Sequence, residues 1–216
     1  MSGGLGLSLA LAAAAVGSLH TLAPDHWVPF AALARAQGWS ATRTARITVL
    51  CGFGHVTVSA LLGLAALVFG LALLESLGRE LGSLAGLLLV GFGLVYGAWG
   101  LRQAAGRRFH GHAHTHYDHV HDAGGTTAWT LFLLFSADPC VAVIPLLFAA
   151  APLGWGQATA VVLVYELATI LTMVMLVLPA RAAATRLRGA FVGRYADALA
   201  GGIVAAVGLA MLGLGW

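Results

Sequence analysis

Six long apolar stretches, joined by short segments that hold most of the charge, dominate this chain of 216 residues. They lie at about 4–31, 47–74, 81–101, 128–151, 157–179 and 195–216. A helix needs ~20 mainly apolar residues to cross the hydrocarbon core of a bilayer, and each stretch meets that length. Only 9% of the residues are charged, where a soluble domain carries about 25% to face water. The mean hydropathy is +0.90. This argues strongly against a soluble enzyme and predicts an all-α integral membrane protein. Long unbroken apolar runs favour helices over a barrel, and the abundant Gly and Ala inside them suit helix packing in lipid.

The arginines give a topology. All eleven basic residues are Arg, and ten of them fall in alternate connections. Arg35, Arg43 and Arg46 separate spans one and two; Arg102, Arg107 and Arg108 separate three and four. Arg181, Arg186, Arg188 and Arg194 separate five and six, and only Arg79 lies elsewhere. Positive loops stay in the cytoplasm, so the expectation is a multi-pass protein of the inner cell membrane with both termini outside. The first stretch lacks a basic leader and runs into a polar motif, so it reads as a span, not a cleaved signal. Positive charge here speaks to orientation, and no nucleic-acid partner is expected.

Both ends on one side divide six spans into two oppositely inserted halves, 1–101 and 128–216, around a cytoplasmic His-rich loop at 102–127. Ala23-Pro24-Asp25-His26-Trp27-Val28-Pro29 in span one is matched by Ala137-Asp138-Pro139-Cys140-Val141 with Pro145 in span four. About thirty residues later each half has an ionisable group, His55 and Glu166. A 3+3 inverted repeat with spans one and four broken at proline is therefore expected, with the breaks marking a substrate site.

Ionisable groups inside spans are costly and mark function. Here they are His20, Asp25, His26, His55, Asp138 and Glu166, with Cys140 as a thiolate candidate. A continuous helix would spread His20, Asp25 and His26 around its circumference. Pro24 cannot donate to the carbonyl of His20 and disfavours helix at Ala23. An opened backbone there would turn the three side chains to one point and free a carbonyl, a donor set suited to Ni²⁺, Co²⁺ or Zn²⁺. The alternative is a kinked helix ending at the interface with Asp25 and His26 in water. Around His55, Gly52 and Gly54 admit a close helix neighbour. Asp138 has a stronger claim than Cys140, because free Cys is commonly a small buried hydrophobe. Glu166 has three open roles: ligand, proton carrier or partner of a His. Cys51 reads as packing. The middle loop holds His110, His112, His114, His116, His119 and His121 with Asp118 and Asp122, a composition for loose metal capture or sensing.

His20-x-x-x-x-Asp25-His26 resembles the H-x-x-x-x-D-H signature of nickel/cobalt permeases, and Gly54-His55-Val56-Thr57-Val58 is similar to the glycine-histidine motif of that family's next helix. The Pro-Asp-His form, six spans and His-rich loop resemble its short urease-accessory-type branch. The resemblance implies transport of Ni²⁺ or Co²⁺, with His20, Asp25, His26 and His55 on the ion. The metal is cargo and no fixed cofactor is expected; the partners are the ion, the bilayer and a cytoplasmic metallochaperone. The larger permeases have eight spans, and Asp138-Pro139-Cys140 lies outside their motif. Pro139-Cys140-Val141 with Pro145 resembles instead the proline-flanked cysteines of six-span thiol–disulfide carriers. Such carriers need a second cysteine at the matching place in span one, where this chain has Asp25-His26.

Overall fold

The computed structural model describes residues 2–69, 71–106, 123–138, 140, 142–187 and 189–214. Pro139, Val141, Arg107, Arg108, Arg188 and the loop histidines His110, His112, His114, His116, His119 and His121 lie outside the described residues, as do Asp118 and Asp122. The elements in chain order are α1 (Ser2–His20), a 3-10 turn at Pro24–His26, α2 (Val28–Ala36), α3 (Ala41–Phe69) and α4 (Leu71–Gly106). The second half supplies α5 (Ala123–Ser136), α6 (Val143–Ala150), α7 (Trp155–Arg186), the short α8 (Ala190–Arg194) and α9 (Ala196–Leu214). No strand occurs among the described residues.

By length and apolar composition α3, α4 from Glu80, α7 and α9 are each able to cross a membrane. Gly4–His20 and Pro24–Ala36 form a fifth candidate when taken together, their axes 83° apart. The fourth expected span instead comprises two shorter apolar helices, Thr127–Ser136 and Val143–Leu153. At 1.5 Å per residue neither reaches across a ~30 Å core alone. The fold is thus an all-α membrane-embedded protein with four or five candidate spans among the described residues, against six expected membrane elements of which the first and fourth are broken. Each half contributes a broken helix followed by two long ones.

The long helices turn their large apolar side chains outward. On α7 the buried positions are Ala158, Val161, Tyr165, Thr169, Met173 and Val177, three or four residues apart. Leu163, Leu167, Leu171 and Met175 on the opposite face are exposed. A soluble helix would place polar groups on that outer face. Large apolar side chains there suit surroundings as apolar as leucine itself.

The most extensive pairing joins α4 to α9. Gly93 faces Gly201 there so closely that a Cβ on either would sit 2.6 Å from the other's carbonyl oxygen. At one end of the bundle, arginines clasp main-chain carbonyls. Arg35 donates to Ala184 (2.7 Å) and Leu187 (3.0 Å). Arg181 donates to Trp39 (2.9 Å) and Arg194 to Ala104 (2.9 Å). Ala184 and Ala104 lie in the last turns of α7 and α4, whose carbonyls have no helical partner. These contacts gather the segments after α2, α4 and α7 on one face, so three arginines read as topology markers also tie helix ends together.

Replacing Gly201 with Leu should force α4 and α9 apart at a cost of about 1–3 kcal/mol or more. Gly202 is exposed with open space beside it, so Gly202→Leu should be neutral. Thermal unfolding of the two variants in detergent is the check.

Candidate metal centre

The site begins where α1 ends. Ala23 takes an extended conformation (φ −57°, ψ 133°), as the residue before a proline prefers. In an apolar medium the opened backbone must still pair its polar groups. Tight turns do this: Leu22 N–H donates to Leu19, Ala23 N–H to His20 and His26 N–H to Ala23, each at 3.1–3.2 Å. The Trp27 indole donates to the Leu22 carbonyl at 3.2 Å. The carbonyl of His20, expected to be freed as a ligand, is therefore occupied by the Ala23 amide. The break turns the chain without exposing its backbone.

That turn buries Asp25 and His26, at 6% and 1% exposure, and so removes the reading in which water solvates them. The His20 and His26 ring centroids lie 4.2 Å apart, nearly perpendicular. His55 from α3 joins them, 5.2 Å from His26 and 6.1 Å from His20. His55 is the central residue of the 29-residue α3, with about 21 Å of helix on either side. Gly52 and Gly54 give α3 its close neighbours. A Cβ at Gly52 would meet Ile170 of α7 at 3.0 Å, and one at Gly54 would meet the Phe132 ring of α5 at 2.7 Å.

The protonation pattern follows from the partners. The Phe135 carbonyl lies 3.2 Å from His55 Nδ1 and can only accept, so Nδ1 carries the proton and Nε2 presents a lone pair. His26 Nδ1 lies 3.0 Å from Asp25 Oδ2, within ion-pair distance but without the alignment of a hydrogen bond. Nε2 of His20, His26 and His55 and Oδ1 of Asp25 are all buried with no hydrogen-bond partner among the described residues. Leaving such an atom unpaired costs about 1–3 kcal/mol. Buried imidazole nitrogens with free lone pairs are chemically able to donate to a cation.

The second half reaches the cluster through the break between α5 and α6. Cys140 N–H donates to Ser59 Oγ at 2.7 Å, and that hydroxyl donates to the His55 carbonyl at 2.8 Å. The Cys140 sulfur lies 2.6 Å from the Tyr165 hydroxyl of α7. Among the described residues, ligand atoms of His20, His55 and Cys140 all lie within 4.8 Å of one another. Asp25, His26 and Asp138 stand outside that triangle; Asp138 is half-buried and within electrostatic range of Asp25 and His26. Of the two span-four candidates, Cys140 rather than Asp138 stands in the triangle with His20 and His55. Glu166, half-buried on α7 with Oε1 unpaired, is not in the triangle either. Cys51 is buried in a different apolar cluster from Cys140, and both are free thiols.

Ser59, Tyr165 and the Phe135 carbonyl were not singled out from the sequence. Ser59 follows His55 by four residues and so shares its helix face. Tyr165 lies on the inward stripe of α7, whereas Glu166 drew notice only for its charge. Comparison with protein-family models, with curated proteins and with solved structures finds no match to this chain.

Ser59→Ala would leave the buried Cys140 amide without its acceptor and should lower stability by about 1–3 kcal/mol. Thermal unfolding in detergent measures this; an unchanged midpoint would mean that another group holds the amide.

Proposed function

We propose that the protein is a secondary transporter of divalent transition-metal ions, nickel or cobalt first and zinc next. The observation that carries this reading is the group of three imidazole Nε2 atoms, from His20, His26 and His55, buried and partnerless beside Asp25. Imidazole with carboxylate suits borderline d-block ions, whereas Mg²⁺ and Ca²⁺ prefer all-oxygen sites. Asp25 supplies charge beside His26, and the Phe135 carbonyl fixes the His55 tautomer. The H-x-x-x-x-D-H resemblance to nickel/cobalt permeases points the same way.

Transport needs the site to face each side in turn. The reading takes the chain as a 3+3 inverted repeat of six membrane elements, with α1–α2 and α5–α6 as the broken members. It is supported by reciprocal packing: α1 lies on α7, α5 and α6 lie on α3, and the second and third helices of the two halves pair as α3–α7 and α4–α9. The ion would sit between the halves, and rocking of one against the other would expose it alternately. The arginine-rich face is taken as cytoplasmic by the positive-inside rule, in the inner membrane of the cell. Asp138 and Glu166 are held as proton-coupling groups, and the His-rich loop as a collector or sensor of metal that a cytoplasmic metallochaperone serves.

Uptake of radioactive nickel, cobalt and zinc into sealed vesicles tests the proposal. His26→Ala should abolish uptake, and Asp25→Asn, which keeps size but loses charge, should weaken it about ten- to a hundredfold. Equal uptake by wild type and His26→Ala would remove the site.

A further inference from the structure

We propose that Cys140 binds the transported ion directly, its thiolate joining His20 and His55 in a two-nitrogen, one-sulfur triangle that selects thiophilic cations. The inference rests on the metal-transport reading and narrows its substrate class. The three ligand atoms already lie within 4.8 Å of one another. A tetrahedral ion with bonds of ~2.0 Å to nitrogen and ~2.3 Å to sulfur needs them ~3.3–3.6 Å apart, so closing by about one ångström completes the site. Nε2 of His20 and of His55 each lack a hydrogen-bond partner among the described residues, and His55 is 1% exposed.

Donors around the sulfur would hold its thiolate once a cation offsets the cost of burying that charge. The Tyr165 hydroxyl lies 2.6 Å away and donates to the anion. The amides of Ala142 and Val143, at the start of α6, also reach it, where the first helical N–H groups lack internal partners. The Ser59 contact fixes the Cys140 backbone opposite His55. On binding, the S–H bond breaks, a sulfur–metal bond forms, and the proton leaves to water. One positive charge remains on the ion–thiolate pair, facing the Asp25–His26 pair. Sulfur with two imidazoles favours Co²⁺, Ni²⁺, Zn²⁺ and Cd²⁺ and rejects Mg²⁺, Ca²⁺ and Mn²⁺. The thiolate comes from the second half and both imidazoles from the first, so a bound ion bridges the halves.

Co²⁺ is the probe, added to the purified full chain with its six loop histidines replaced by Ala, so that bound cobalt reports the membrane site. A thiolate-to-cobalt charge-transfer band in the near ultraviolet should accompany binding. Cys51→Ser should keep the band, and since Cys140 is then the sole thiol, that spectrum alone assigns it. Cys140→Ser should lose the band and bind Co²⁺ at least tenfold more weakly, and Cd²⁺ should displace Co²⁺ from the parent chain where Mg²⁺ does not. Bound Co²⁺ without the band in Cys51→Ser overturns the thiolate while the histidine site stands. No Co²⁺ bound to the parent chain overturns the metal reading itself.

Discussion

A backbone opened inside an apolar medium must find new partners for every N–H and C=O, and this requirement shapes the centre of the protein. Pro24 removes one donor from α1. The chain answers with three-residue turns and the Trp27 indole rather than with water. Once the backbone is closed on itself in this way, the bend costs little and the side chains at its corner are free to face inward. His20 and His26, which a straight helix would point apart, meet at 4.2 Å. The polar cluster is a product of the main chain's own bookkeeping.

Glycine does the complementary work. Gly17 lets α1 approach Tyr165 and Thr169, and Gly52 and Gly54 set α3 between α7 and α5. These contacts deliver His55, Phe135 and Tyr165 to the same small volume. Because lipid offers no hydrophobic drive for helices to associate, such close approach and a few buried hydrogen bonds supply the attraction. The polar centre is therefore ringed by close helix contacts, and outward-facing Leu and Phe isolate it from lipid.

Much of this was legible in the sequence because polar residues are rare in apolar runs and each one is informative. The membrane class, the break at Pro24 and the grouping of His20, Asp25, His26 and His55 followed from residue type and helical geometry. What escaped was relational. Nothing local to Cys140 or Asp138 says which stands with His20 and His55; the packing of α6 against α3 decides it. Ser59 and Tyr165 passed as ordinary helix residues because a single hydroxyl carries no signal until its neighbour across the interface is known. Where each helix stops within the first and fourth stretches was not legible, since hydropathy counts apolar residues whether or not a helix runs through them.

The Ser59 hydroxyl accepts the amide before α6 and donates to a carbonyl at the centre of α3. A slide of one half past the other by a helical turn, about 5.4 Å, would strand that amide where no solvent can replace the lost oxygen. The contact therefore resists displacement of one half against the other, like a detent in a sliding bolt, and it sits one helical turn from the histidine it steadies.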